Sequence, residues 1–86
     1  MNKPDEIGTK VREIISIELR IDESRIRDSA RLRADLGMDS VAALNILFAA
    51  EEAFGIEGIE VSEIATVTTV ADVESLVRRY VAGTAA

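Results

Sequence analysis

Cysteine and histidine are both absent from the 86 residues. Without Cys the chain can form no disulfide, thiolate nucleophile or cysteine-ligated zinc site. Without His it lacks the commonest general base and the commonest metal ligand, and no Ser-His pair can be assembled within it. Composition thus argues against a self-contained hydrolytic or redox enzyme, and no catalytic or metal-ligating residue is assigned. The sequence also lacks any apolar run near the ~18 residues of a membrane span. Its opening, Met1-Asn2-Lys3-Pro4-Asp5-Glu6, contains no apolar signal core, so the expected compartment is the cytoplasm, with no stable membrane insertion.

What is present is 48 % hydrophobic and 30 % charged, the balance of a globular protein. The length and the even composition imply one domain over residues 1–86, with a core from about 4 to 82. A chain this short buries only roughly 60 % of its unfolded surface, which leaves little interior for a private active site.

The net charge of −6 is unevenly distributed. In residues 1–19 Lys3, Lys10 and Arg12 face four acids, and in residues 20–35 five arginines (20, 25, 27, 31 and 33) outnumber four acids. The remainder carries Arg78 and Arg79 against Asp39, Glu51, Glu52, Glu57, Glu60, Glu63, Asp72 and Glu74, which supplies the whole excess. An acidic stretch of this kind repels nucleic acid and anionic membrane and can steer a basic protein partner. A plain solvated face is the other reading.

Ile7, Val11, Ile14, Ile15 and Leu19 recur at helical spacing after Pro4, which predicts a helix from about Pro4 to Leu19. From Arg20 to Gly37 the period vanishes while Ile21, Ile26, Leu32 and Leu36 recur, the pattern of a long loop pinned to a core. Gly37 then permits a tight turn, Asp39 suits a helix N-cap, and Ser40 to Phe54 reads as a second helix. That helix is apolar nearly all round, so either it meets a partner or it is the central core helix. Gly55 and Gly58 break it, and Val61, Ile64 and Ala65 suggest one short helical turn before Val67. Thr69 and Asp72 resemble a capping box ahead of a last helix carrying Val70, Val73, Leu76, Val77, Tyr80 and Val81, which Gly83 is expected to end. The fold class is all-α: a four-helix bundle of three main helices and a short third one, with a long loop between helices one and two.

The segment Asp35-Leu36-Gly37-Met38-Asp39-Ser40-Val41 resembles the modification site of acyl carrier proteins. The resemblance extends through Glu51-Glu52-Ala53-Phe54 and Val67-Thr68-Thr69-Val70, covering roughly Ile7 to Val81. It implies a 4'-phosphopantetheine arm on Ser40 through a phosphodiester, an acyl thioester on the arm's sulfur, and supporting roles for Gly37 and Asp39. It also implies a phosphopantetheinyl transferase as partner, with an acyl-ACP synthetase, ketosynthase or acyltransferase beside it, and a monomeric carrier. An extended arm would reach on the order of 15 to 20 Å, into a partner's tunnel.

Many fatty acid synthesis carriers that this chain resembles are acidic two and five positions after the modified serine, where Ala42 and Asn45 stand here. Val41 and Phe48 also replace the usual leucine and methionine, and the Arg20 to Arg33 segment is unusually basic. These departures suggest a specialised fatty acid, lipid or polyketide pathway, with neutral drift as the other reading. Val41, Ala42, Asn45, Glu51, Glu52, Glu57, Glu60 and Ile64 are the expected partner surface. Leu44, Phe48, Ile64, Val67 and Val70 are expected to line an acyl pocket between the second and third helices. Two alternatives stay open: a peptidyl or polyketide carrier, and a non-enzymatic helical interaction module in which Ser40 is only a cap.

Overall fold

The computed structural model describes residues 4–84. Four α-helices follow in order: α1 Pro4–Leu19, α2 Ser40–Phe54, α3 Val61–Thr66 and α4 Val70–Thr84. One 3₁₀ turn, Glu23–Arg25, interrupts the long loop between α1 and α2. Among the described residues the only β pairing is an isolated bridge between Arg31 and Thr69.

The core follows the apolar periodicity. α1 contributes Ile7, Val11, Ile14 and Ile15, α2 contributes Ala43, Ile46, Leu47 and Ala50, and α4 contributes Val70, Val73, Leu76 and Val77. α1 packs on both α2 and α4, and α3 rests on α2. α4 runs through Gly83 to Thr84, so the glycine expected to stop the helix is accommodated inside its last turn. A glycine in a helix costs only about 1 kcal/mol relative to alanine, too little to force a stop there. α1 closes on Arg20, whose φ of 57° is left-handed without being glycine. The Ile21 N–H donating to the Ser16 carbonyl at 3.2 Å, and the Ser16 hydroxyl donating to the Ile21 carbonyl at 2.7 Å, hold that ending in place.

The long loop is held from two sides. Ile26, Leu32, Leu36 and Met38 insert into the core. Backbone bonds then fasten it to the α3–α4 junction: Leu32 N–H to Thr68 O at 2.8 Å, Val70 N–H to Ala30 O at 3.1 Å, and Ala71 N–H to Asp28 O at 2.9 Å. At the same junction the capping box closes in both directions. Asp72 N–H donates to the Thr69 hydroxyl at 3.3 Å, while the Asp72 carboxylate accepts from the Thr69 and Thr68 N–H groups at 3.0 and 2.9 Å. Those two backbone donors hold the Asp72 carboxyl below the usual aspartate range.

Glu74 is the buried charge of the core, 4 % exposed on α4. Arg12 and Arg78 each donate to it at 3.3 Å. Gly8 on α1 makes room for it, since a Cβ there would meet the Glu74 carboxylate at 3.1 Å. Burial first, and then the neighbouring Asp28 carboxyl, push the Glu74 carboxyl above the usual glutamate range, against the pull of the two arginines. The folded protein therefore holds this proton more tightly than the unfolded chain. Its contribution to stability declines as pH rises from about 4.3 through the raised value. Glu74→Gln has no such decline, so its stability should improve relative to the parent as pH is raised from about 4 to 7. Chemical denaturation of both proteins across that range checks this, and parallel curves would refute it.

Candidate functional site

Strict alternation shapes the turn before α2. Leu36 and Met38 are buried, whereas Gly37, Asp39 and Ser40 are exposed, so two apolar anchors present the polar residues to solvent. Gly37 has φ 73° and open space where a Cβ would stand, so its requirement is conformational and not steric. Asp35 closes the turn by accepting from the Arg31 N–H at 2.8 Å and from its guanidinium at 3.4 Å, and these bonds hold its carboxyl below the usual range. Asp39 is the N-cap: its backbone is extended, and its Oδ1 accepts from the Ala42 N–H at 2.8 Å.

Ser40 is thus the first residue of α2, exposed, and its hydroxyl makes no hydrogen bond among the described residues. It stands where free N–H groups and the helix dipole favour an anion by about 0.3–1 kcal/mol. Beside it opens a cavity of about 130 Å³ lined by Arg33, Ser40, Ala43, Leu44, Val61, Ile64 and Ala65. The cavity joins α2 to α3.

The structure brings only part of the expected pocket to this cavity. Leu44 and Ile64 line it with Ser40. Phe48 is 58 % exposed, because two i+4 steps from Ser40 turn it by about 80° around α2 and away from α3. Val67 lines a separate depression with Arg31, Arg33, Ala34, Ala65, Thr66 and Thr68. Val70 is completely buried in the main core. The pattern of the sequence left Arg33, Ala43, Val61 and Ala65 out of the pocket. Arg33 read as one of a basic run, and nothing short of the packing of α3 places it beside Ser40.

The expected partner surface divides similarly. Val41 is 68 % exposed, Asn45, Glu52, Glu57 and Glu60 are exposed, and Ala42 is half-buried. Ile64 belongs to the interior at 4 % exposure, since it is the residue by which α3 anchors to the core. Glu51 is half-buried, and its carboxylate accepts from the Ile59 N–H at 3.2 Å, clamping the α2–α3 loop. Glu63 is held by Arg79 at 3.1 Å and by the Tyr80 hydroxyl, an interaction that raises the tyrosine pKa. α2 carries no charge from Ser40 to Ala50.

Among the described residues no His, Cys, Asp or Glu cluster could hold a metal, and no helix is long and apolar enough to cross a membrane. The helical scaffold thus offers an exposed serine hydroxyl at a helix start beside an open cavity, an arrangement that suits a carrier of an attached group. The sequence pattern of the phosphopantetheine attachment site matches residues 9–77. An acyl carrier protein from Thermotoga maritima is 33 % identical over 79 residues, covering 92 % of this chain and 96 % of its own. One from Rubrobacter xylanophilus is 39 % identical over 66 residues, 77 % of this chain and 80 % of its own. The chain belongs to the acyl carrier protein family.

Members of that family are carriers and not enzymes. They bear 4'-phosphopantetheine covalently and meet a phosphopantetheinyl transferase and acyl-handling enzymes. The residues here fit such an arm. Ser40 offers an exposed oxygen, the helix start favours the phosphate, and the arm's thiol supplies the sulfur that a Cys-free chain lacks.

Proposed function

We propose that Ser40 carries the arm and that residues 1–86 act as one cytoplasmic, monomeric carrier domain in a specialised fatty acid, lipid or polyketide pathway. Asp39 is committed to the Ala42 N–H and the chain has no histidine, so the transferase brings the base that activates the Ser40 hydroxyl. Gly37, exposed and without a side chain, leaves that enzyme an approach to the backbone. Once loaded, the acyl chain has the Leu44–Ile64 cavity within reach. Its volume is close to that of cavities that admit benzene, so it accepts a short apolar segment at about 0.8 kcal/mol per buried methylene. The acyl group is supplied and used by an acyl-ACP synthetase, acyltransferase or ketosynthase.

The observation that supports specialisation is the uncharged first three turns of α2, with Val41 and Phe48 exposed on them. A partner built to meet acidic residues after the serine finds Ala42 and Asn45 instead. It is still attracted from a distance by Glu52, Glu57 and Glu60, which are exposed at the far end. A general fatty acid synthesis ketosynthase should therefore work slowly on the loaded wild-type carrier, and the Ala42→Asp, Asn45→Glu double variant should raise that rate several-fold at low salt. A wild-type carrier as competent as a conventional one, with no gain in the variant, would make this a general fatty acid synthesis carrier.

A further inference from the structure

Arg33 is the one charged residue lining the Ser40 cavity. The turn that holds it is fixed: Leu32 before it is fully buried, the Gly37 N–H donates to its carbonyl at 3.2 Å, and the neighbouring Arg31 is tied to Asp35. Its guanidinium, by contrast, makes no ion pair or side-chain hydrogen bond among the described residues. Arg12, Arg31 and Arg79 are engaged with Glu74, Asp35 and Glu63. Arg33 thus lines the same opening as Ser40 with no other side chain engaging its charge.

We propose that Arg33 is the counter-charge of the arm's phosphodiester, pairing with its non-bridging oxygens and starting the arm along the cavity side of α2. This rests on Ser40 being the attachment point. The electrostatics of the turn call for such a partner. The phosphodiester places a negative charge one residue from the Asp39 carboxylate, which already occupies the Ala42 N–H among the free donors of the helix start. Guanidinium is the side chain best matched to two phosphate oxygens at once. The pairing draws the phosphate toward Leu44 and Val61 and away from Asp39, so the arm leaves Ser40 already directed along the cavity. An anionic cargo is the less fitting occupant. A carboxylate at the end of an extended arm lies on the order of 15 to 20 Å out, whereas the phosphorus is bonded directly to the serine oxygen.

The test uses the full chain, converted by a broad-specificity phosphopantetheinyl transferase and coenzyme A, with conversion verified by intact mass. Phosphorus NMR is recorded on wild type, Arg33→Ala, and Arg27→Ala as the same loss of charge at an exposed residue outside this cavity. Arg33→Ala should move the phosphodiester resonance and loosen the arm's first carbons in relaxation measurements, with an unchanged helical spectrum, whereas Arg27→Ala should leave the resonance in place. Because Arg33 is exposed, the difference should collapse as salt approaches 1 M, where the screening length is about 3 Å. Identical resonances and relaxation in wild type and Arg33→Ala would overturn the pairing while leaving Ser40 as the attachment point. An effect seen only with a malonyl-loaded arm would assign Arg33 to the cargo instead. No mass gain in the wild type would remove both readings.

Discussion

Ser40→Ala is expected to abolish the mass gain that the transferase and coenzyme A produce on the parent protein, a complete loss with the helical spectrum almost unchanged. The loss follows from chemistry, because alanine offers no oxygen to bond the phosphorus. The intact fold follows from the cap. It is the Asp39 carboxylate that accepts the Ala42 N–H at 2.8 Å, and alanine at the first helical position is at least as good a helix former as serine. The other serines do not substitute for it. Ser16 is half-buried, with its hydroxyl given to the Ile21 carbonyl, and the Ser62 hydroxyl donates to Glu60 at 3.4 Å on the six-residue α3. Ser24, Ser29 and Ser75 are exposed but lack the Gly37-Met38-Asp39 turn that presents Ser40. Modification persisting in Ser40→Ala would move the site to one of these.

The features of the site that were legible in the sequence are local ones. An aspartate before a helix, a glycine two residues earlier and a threonine–aspartate pair at the start of α4 each act within four residues; the aspartate and the pair make their bonds in the structure, and the glycine takes its left-handed backbone. What escaped depends on partners far along the chain. Glu74 stands between Val73 and Ser75 with nothing to mark it as buried, and its environment is assembled from Gly8 and Arg12 of α1. Phe48 fits an apolar pattern that admits either face of an almost wholly apolar α2. Only the seating of α3 against Ser40, Ala43 and Leu44 decides that it faces solvent. Glu51 read as part of an acidic surface, yet its carboxylate accepts from the Ile59 N–H eight residues on.

The long loop extends the same reasoning to stability, and Leu32→Ala tests it. Leu32 is fully buried within the long loop between α1 and α2. Its N–H donates to Thr68 at the α3–α4 junction, and its carbonyl accepts from the Met38 N–H at 2.9 Å, one residue before the cap of α2. The side chain is thus the apolar anchor for the backbone that connects α4 to the Ser40 turn. Truncating a buried leucine costs about 2–5 kcal/mol. For a domain of this size, whose total stability is of the order of 5–15 kcal/mol, that corresponds to a fall in Tm of about 8–40 °C. Leu44→Ala, by contrast, removes a half-buried side chain from the wall of an open cavity and should cost much less. The two variants separate the roles of loop and cavity when Tm and modification rate are measured together. Leu32→Ala should lose transferase competence in proportion to its loss of folded protein, because Leu32 is the one fully buried side chain between Ile26 and Leu36, with only the small, half-buried Ala30 beside it. Leu44→Ala should keep the full modification rate. A Leu32→Ala protein that melts at the parent temperature would show that the loop is not part of the cooperative core, and that Leu36 and Met38 alone hold the serine in place.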